Sequence, residues 1–395
     1  MSKRLLLINS VCGIGSTGRI CADIAREYER DGYEVKIAYG RSDVIGEGTE
    51  KYAVRIGNKI DVYAHVAYTR LFDKHGLASK SATKKFLEWA DEYDPDILWL
   101  HNIHGYYINY ELLFGWIKTR QKKQSESGKP VMEVKWTLHD CWAFTGHCSH
   151  FTYVGCDKWK TGCKDCPQKL EYPSSLISDN SENNFVCKKK AFTGVKKLTL
   201  ITPSHWLKNL VKNSFLNEYL VEVVYNTVDA NVFKPTQSDF RQKNGIDDDL
   251  VIILGVSSVW NKRKGLDDFW ELDRRLDKGK YRIILVGVSD KQANNLRKNT
   301  NILPLPRITN QVELAEIYSA SDIYLNLSKE ESFGLTTMEA LYCGVKVIVY
   351  KDTACEEVLK NYDVNNGLAV DKNTQAVCTA ITRMGQKSAV GMDND

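Results

Sequence analysis

The sequence predicts an α/β protein built from two doubly wound, Rossmann-like domains with parallel sheets. Two successive parts of the 395-residue chain alternate short apolar strands with amphipathic helices, which is typical of such sheets. A polar, turn-rich stretch at 236–249 separates the two parts. We expect a first domain at 1–200, a hinge region at 201–240 and a second domain at 241–395.

The composition is that of a water-soluble globular protein, with 43% hydrophobic and 26% charged residues. The net charge of +4 is small for this length and argues against a nucleic-acid partner. No apolar run approaches the ~20 residues that a membrane-spanning helix needs. The start M-S-K-R-L-L-L-I resembles a first strand more than a signal peptide, so we expect a cytoplasmic protein.

The first β-α-β segment contains a literal G-x-G-x-x-G sequence at Gly13, Gly15 and Gly18. This pattern occurs in dinucleotide-binding proteins, where an acid at the end of the second strand holds the ribose. The second strand, at 34–39, is instead followed by Arg41, which would suit the 2′-phosphate of NADP. An NADP site and a simple tight turn with close helix packing both remain open.

Histidines follow two later strands of the first half. His101 and His104 lie in segment 94–105, which we expect to be a strand that ends in a polar loop, and His139 with Asp140 comes after a strand at 134–138. Ligands collect beyond the carboxyl ends of parallel strands. We therefore expect His101 and His104 on the acceptor side of a site, although each could serve only its own loop.

A Cys-rich insertion occupies residues 141–167. Cys148, Cys156, Cys163 and Cys166 offer four thiolates within twenty residues, the number that a tetrahedral structural zinc needs. The first pair is spaced more widely than in a usual zinc knuckle. Free thiols, or a disulfide formed on oxidation, are the alternatives.

The second half contains two acids around a turn. Glu331 lies in the loop after a strand at 323–327, and Glu339 lies about one turn into a helix that ends at Gly344. The helix start, with its unpaired N–H groups, would suit a diphosphate. Glu339 could then accept both ribose hydroxyls, and Glu331 could accept those of a sugar. The alternative is an ordinary strand–loop–helix with solvated acids.

These residues resemble a known motif. Glu331 and Glu339, with seven residues between them that include F-G-L, resemble the E-x7-E motif of retaining family 4 glycosyltransferases, which have the GT-B fold. The following C-G-V-K-V-I and the sequences T-P-S-H-W at 202–206 and N-T-V-D at 226–229 are also similar to the family's signatures. The resemblance implies two domains that face a central cleft, with the donor in the second and the acceptor in the first.

The resemblance also implies roles for single residues. In the family, an Arg and a Lys-Gly pair clamp the donor's diphosphate; Lys264-Gly265 matches, but Ser258 stands where the Arg is usual, and Arg263 could replace it. A histidine at the position of His139 contacts the donor sugar. The predicted catalytic residues are His139, Glu331 and Lys264. The predicted donor-binding residues are Gly15, Ser258, Arg263, Lys264, Arg307, Phe333, Gly334, Leu335, Thr336 and Glu339. The predicted acceptor-side residues are Gly13, His101 and His104.

The implied activity is transfer of a sugar, with retention, from a UDP- or GDP-sugar, UDP being favoured, to a saccharide or lipid-linked saccharide. The context would be the synthesis of bacterial cell-surface polysaccharide. No cofactor is required for this chemistry, apart from the candidate structural zinc. Basic runs at 118–123 and 188–190 suggest peripheral contact with the inner face of the cell membrane. A nucleotide-sugar epimerase of the same fold, an NADP-dependent oxidoreductase and a non-catalytic sugar-nucleotide sensor are the alternatives.

Overall fold

The structure is a computed structural model that describes residues 2–362 and 366–385. The chain divides into two compact units, Met1–Tyr225 and Asn226–Asp395. The division falls within the predicted hinge region at 201–240. Residues 386–395 of the predicted second domain lie outside the described residues.

The first unit contains a seven-stranded parallel sheet with the strand order β3-β2-β1-β4-β5-β6-β7. Its strands are β1 Arg4–Ile8, β2 Glu34–Tyr39, β3 Ala53–Arg55, β4 Ile97–Leu100, β5 Glu133–Thr137, β6 Leu198–Thr202 and β7 Leu220–Val223. Its helices are α1 Gly15–Arg30, α2 Lys59–Phe72, α3 Lys80–Tyr93, α4 Tyr110–Glu126, α5 Ser181–Phe192 and α6 His205–Lys212. Segment 201–225 of the predicted hinge therefore belongs to the first unit, where it completes β6 and supplies α6 and β7.

The central strand β1 shows that this sheet is buried on both faces. Its residues Leu5, Leu6, Leu7 and Ile8 have no exposed surface, as expected for a continuous apolar run in a parallel sheet covered by helices. Helix α1 packs with small residues on its buried face, including Gly18, Cys21, Ala22 and Ala25, which allow a close approach to the sheet. It begins at Gly15, within the G-x-G-x-x-G sequence.

Two helices and a strand between residues 53 and 93 are not among the predicted elements. Helix α2 begins with a capping box, in which Asn58 accepts from Asp61 N and the Asp61 carboxylate accepts from Asn58 N. Its buried face carries the polar residues His65 and Thr69. The usual apolar stripe of a helix that packs on a core is thus missing from α2.

The second unit contains a six-stranded parallel sheet with the strand order β10-β9-β8-β11-β12-β13. Its strands are β8 Val251–Val256, β9 Tyr281–Val286, β10 Leu303–Leu305, β11 Ile323–Asn326, β12 Lys346–Tyr350 and β13 Gly367–Val370. Its helices are α7 Phe240–Lys243, α8 Leu266–Arg275, α9 Asp290–Asn299, α10 Gln311–Ser319, α11 Leu335–Tyr342, α12 Ala354–Tyr362 and α13 Thr374–Met384. The prediction of two doubly wound parallel sheets is confirmed.

Each sheet reverses its winding direction between two neighbouring strands, β1 and β4 in the first unit and β8 and β11 in the second. The loops that leave such strands diverge to opposite faces and open a crevice, where ligands bind in this class of sheet. In the second unit the two loops also touch. Gly265 has φ +77°, and a Cβ atom there would collide with the carbonyl oxygen of Leu327. The sheet order thus brings residues 257–265 beside residues 327–334.

Candidate active site

Lys264 and Glu331 meet at the crevice of the second unit. Lys264 lies in the loop after β8 and Glu331 in the loop after β11, and the Lys264 Nζ atom donates to the Glu331 carboxylate. The two side chains keep 21% and 15% of their surface exposed, so the pair is partly open to solvent. The structure therefore brings together two predicted site residues that are 67 positions apart in the sequence.

The neighbouring residues tie the same two loops together. The Arg263 guanidinium donates to the carbonyl oxygen of Glu330 at 3.0 Å, and the Lys329 N–H donates to the carbonyl oxygen of Arg263 at 2.8 Å. Ser258, which stands where the resembling family has an Arg, is exposed in the loop after β8. Lys264 is thus held at a fixed end of the loop, with Arg263 as the second cation nearby.

The start of helix α11 lies directly after these loops. Gly334 adopts φ +97°, and a Cβ atom there would lie 2.6 Å from the Cys355 Sγ atom, so only glycine fits. The helix has no side-chain hydrogen bond at its N-cap and no acid in its first turn. Its positive end is therefore suited to an anion rather than to an internal carboxylate. Phe333, before the turn, is buried, whereas Leu335 and Thr336 are half-buried.

Glu339 is buried on the first turns of α11. The Tyr318 hydroxyl, from α10, donates to the Glu339 Oε2 atom at 3.0 Å. Burial, followed by the nearby Glu339 charge, raises the pKa of Tyr318 well above its ordinary value, so this phenol stays a donor. Local spacing could not identify Tyr318, because 21 residues separate the pair. Arg307, the predicted contact for the base, is exposed after the short strand β10.

In the first unit, two histidines at the ends of neighbouring strands are hydrogen-bonded. His101 Nδ1 and His139 Nε2 are 3.0 Å apart. Burial lowers the pKa of His139 to about 4, with Asp140 opposing and His104 assisting, and burial also lowers the pKa of His101 well below its ordinary value. Both rings are therefore neutral near pH 7.

His104 and Asp140 form a second contact in the same region. The His104 Nε2 atom lies 3.2 Å from the Asp140 carboxylate, and His104 Nδ1 lies 3.1 Å from the Tyr172 hydroxyl. The other Asp140 oxygen accepts from the Trp142 N–H at 2.9 Å. Although burial acts to raise it, the pKa of Asp140 lies below its ordinary value because His104 contacts the carboxylate. Asp140 thus fixes the loop that follows β5.

The glycines of the first loop have packing reasons to be glycine. A Cβ atom at Gly13 would lie 2.6 Å from the Thr49 Oγ1 atom and 2.8 Å from the Gly46 Cα atom. Gly18 lies against Val11, and only Gly15, at φ +63°, has open space where a Cβ would be. Close packing therefore accounts for Gly13 and Gly18 without a dinucleotide.

The four predicted zinc ligands line one small hollow in the Cys-rich insertion. None of these four cysteines forms a disulfide in the part of the chain that the structure describes. The Cys148 thiol donates to Cys166, and this hydrogen bond lowers the pKa of Cys166. In residues 2–362 and 366–385, no three His, Cys, Asp or Glu side chains are arranged to hold a metal ion. The zinc site stays a prediction, and no step proposed below rests on it.

The prediction that residues 188–190 form a basic surface run is wrong for Lys188. Lys188 is buried, its Nζ atom donates to the carbonyl oxygens of Trp142 and Thr145, and it lies 3.6 Å from the centre of a Trp142 ring. Burial lowers the pKa of Lys188 to about 7. This lysine holds the loop after β5 and cannot face a membrane. Among the helices that the structure describes, none has the length and apolarity to span a bilayer.

Another hollow of the first unit lies away from these residues. Its volume is about 980 Å³, and it is lined by residues at or before the amino ends of strands, such as Asp96, Glu133 and Lys197. Ligands of doubly wound sheets bind at the opposite, carboxyl edge. We therefore do not include this hollow in the candidate site.

Residues 236–386 match the family model described as "Glycosyl transferases group 1". This span contains all of the paired residues of the second unit described above. A curated relative, the putative colanic acid biosynthesis glycosyl transferase WcaC of Escherichia coli, is 24% identical over 231 residues, which cover 57% of this chain and 54% of the relative. The chain thus spans about half the length of the curated relative that it matches.

Solved structures are similar over nearly the whole chain. Sucrose-phosphate synthase from Thermosynechococcus elongatus matches with a TM-score of 0.66 at 15% identity, covering 97% of this chain and 92% of that one. Anabaena HepE in complex with UDP and glucose matches with a TM-score of 0.61 at 16% identity, covering 98% and 90%. At these identities the likeness shows the fold alone. The match to glycosyl transferases group 1 covers residues 236–386, and the likeness over the whole chain supports the predicted GT-B fold.

Proposed function

We propose that the protein transfers a sugar from a nucleoside diphosphate sugar, with UDP as the favoured nucleotide, to a saccharide acceptor with retention of configuration. The observation that carries this proposal is the Lys264–Glu331 pair beside the uncapped start of α11, with Glu339 on the same helix. A cation, a helix N-terminus and two acids in this order suit a diphosphate between a ribose and a sugar. The family model over 236–386 supports the same activity.

The roles follow the chemistry of each group. Lys264 and Arg263 neutralise the diphosphate, and the N–H groups at the start of α11 donate to its oxygens. Glu339, held by Tyr318, accepts from the ribose hydroxyls. Glu331 gives up its bond to Lys264 and accepts from hydroxyls of the donor sugar. The HepE complex with UDP and glucose supports UDP as the nucleotide.

In the proposed transfer, the bond between the sugar C1 and the diphosphate oxygen breaks, and its electron pair stays on the diphosphate. The acceptor hydroxyl attacks C1 from the same face, so a new C1–O bond forms with retention. The acceptor's proton passes to the departing diphosphate. The Lys264 ammonium stabilises the charge that develops on the leaving group, so the proposed reaction needs no metal. His139 donates to the sugar, as the resemblance implies.

We place the acceptor in cell-surface polysaccharide synthesis and propose that it is lipid-linked. The colanic acid description of the E. coli relative supports the first part. For the second part, α2 exposes apolar side chains at Ile60 and Tyr63, which are 78% and 64% exposed. At the other end of α2, Leu71 and Phe72 are 43% and 49% exposed. The exposed residues Leu176 and Ile177 lie near that end, because the Leu176 N–H donates to the Arg70 carbonyl at 2.8 Å. Such a surface suits contact with the inner face of the membrane.

Vesicle sedimentation tests the membrane contact. We expect binding to vesicles that contain phosphatidylglycerol, and clear loss of binding in the double variant Leu176→Ser and Ile177→Ser. Val312→Ser is the matched control, because Val312 is also an exposed apolar residue, at 53%, but lies in the second unit. Equal binding by all three proteins would contradict a membrane role for this surface. Dimerisation that the double variant abolishes would assign the surface to a second copy instead.

A thermal-shift titration with UDP, GDP, ADP and NADPH tests the donor site first. A nucleotide that binds only the folded protein raises its melting temperature by mass action. We expect a shift with one nucleoside diphosphate, lost in Lys264→Ala. A shift with NADPH alone would contradict the transferase and favour an oxidoreductase. Conversion of a UDP-sugar into its epimer without any acceptor would favour an epimerase, and donor binding with neither transfer nor hydrolysis would favour a sensor.

A further inference from the structure

The hydrogen bond between His101 and His139 joins two neighbouring strands at their carboxyl ends. His101 follows β4 and His139 lies two residues after β5, and these strands pair in parallel. The ring planes differ by only 19°, with centroids 5.3 Å apart, so the Nδ1 atom of one ring meets the Nε2 atom of the other edge to edge at 3.0 Å. Only one proton can occupy this contact when both rings are neutral.

The surroundings of His101 decide which ring carries that proton. Within the described part of the chain, the buried His101 Nε2 atom has no hydrogen-bond partner. If His139 Nε2–H donated, neutral His101 would have to carry its own proton on Nε2, as a buried N–H without an acceptor. If His101 Nδ1–H donates, Nε2 keeps only a lone pair. Buried N–H groups without partners are rare in proteins, so the second arrangement is the stable one.

We infer that His101 is a positioning residue that holds His139 in the tautomer with its proton on Nδ1. His139 then accepts at Nε2 and keeps Nδ1–H as the only donor of its ring. No acceptor for that N–H lies among residues 2–362 and 366–385, but His139 is half-buried and its Nδ1 atom, unlike the His101 Nε2 atom, is not enclosed. The His139 Nδ1–H group is thus available to donate a hydrogen bond to a hydroxyl of the transferred sugar. This is the contact that the proposed function gives to His139. The contact with the sugar rests on the proposed function, whereas the tautomer of His139 follows from the contacts of the two rings alone.

The ring of His101 is itself held in place. The backbone of His101 is fixed by two hydrogen bonds. The His101 N–H donates to the Ile8 carbonyl at 2.9 Å, and the Trp136 indole N–H donates to the His101 carbonyl at 3.2 Å. The Trp99 ring lies nearly parallel to that of His101, with centroids 5.9 Å apart and planes 19° apart. A fixed donor at Nδ1 can orient a partner ring in the same way that outer-shell groups orient metal-bound histidines.

Nitrogen NMR of the histidine rings tests the tautomer without any substrate. In the wild type, we expect the His139 Nδ1 signal in the protonated range and the Nε2 signal in the unprotonated range. In His101→Leu, which keeps an apolar side chain of similar size but no donor, we expect His139 signals averaged over both tautomers. In His101→Asn, whose amide nitrogen stands near the former Nδ1, we expect the wild-type pattern. A wild-type proton on Nε2 would overturn the inference.

Transfer from UDP-glucose and UDP-N-acetylglucosamine tests the consequence. We expect His101→Leu to lower kcat at least tenfold while the Kd for UDP stays within twofold, and His101→Asn to restore most of kcat. Melting temperatures of both variants identify any loss that is due to unfolding. Equal losses in two folded variants would overturn the positioning role. Absence of transfer by the wild type would count against the proposed function alone, because the NMR result still decides the tautomer.

Discussion

Lys264 and Glu331 are bonded to each other across the two loops that leave β8 and β11. In the proposed function each has another partner when the donor is bound, since Lys264 then contacts the diphosphate and Glu331 the sugar. The ion pair therefore competes with the ligand for Lys264. It also keeps both side chains near their working positions, because neither has to be recruited from solvent.

This competition predicts opposite effects on the binding of bare UDP. Lys264→Ala removes the cation, so we expect the Kd for UDP to rise at least tenfold. Glu331→Gln removes only the competing charge, so we expect UDP to bind about fivefold more tightly, which corresponds to about 1 kcal/mol. Transfer from a UDP-sugar should fall in both variants. Isothermal titration calorimetry measures the Kd values.

Lys351→Ala is the matched control for these two variants. Lys351 also forms an ion pair with an acid, Asp371, at 2.9 Å, but both side chains are exposed. Its removal should leave UDP binding unchanged. Weaker UDP binding in Glu331→Gln would show that Glu331 supports the diphosphate site instead of competing with it.

Local sequence was enough to find the residues of this pair but not their contact. The strand–turn–helix order around Glu331 and the Lys-Gly sequence at 264 are visible within short windows. The bond between them depends on β8 lying beside β11, which is a property of sheet order. The same holds for Tyr318 and for the bond between His101 and His139, because each joins separate elements. The sequence does not predict the apolar surface of α2, because the apolar residues of this helix face outward instead of toward the core.

The proposed contact between Glu339 and the ribose predicts that binding depends on the nucleotide's hydroxyls. Wild type should bind UDP several-fold more tightly than 2′-deoxy-UDP, because the deoxy analogue leaves a buried carboxylate oxygen without its donor. In Glu339→Ala, both nucleotides should bind weakly and alike. Tyr318→Phe should weaken UDP binding by less, since it removes only the hydrogen bond that orients Glu339. Undiminished discrimination in Glu339→Ala would remove Glu339 from the ribose site.

The Cys-rich insertion predicts a metal content that elemental analysis can measure. If Cys148, Cys156, Cys163 and Cys166 bind zinc, protein purified under reducing conditions should contain about one zinc per chain. Cys163→Ser should lose it and should melt at a lower temperature, because a structural zinc stabilises the fold that binds it. Cys378→Ser, in α13, is the control and should keep the metal. Protein without zinc, and with all thiols open to titration, would favour the free-thiol alternative.

His65 predicts how stability changes with pH. It is fully buried on α2, its Nε2 atom accepts from the Gly76 N–H at 3.0 Å, and its Nδ1 atom lies 2.9 Å from the Ser79 hydroxyl. Burial lowers the pKa of His65 from its ordinary 6.5 to about 4. Between these values the unfolded chain binds a proton that the folded protein does not.

The free energy of unfolding should therefore fall as the pH drops from about 6.5 to about 4, and His65 alone accounts for at most about 3 kcal/mol of that fall. His147 acts in the opposite direction, because Asp73 raises its pKa in spite of its burial. Urea unfolding at pH 7.0 and at pH 5.0 measures the difference. In His65→Gln, which does not titrate, the two free energies should lie closer together than in wild type, even if both are lower. An unchanged difference would mean that His65 does not contribute to the acid sensitivity of the fold.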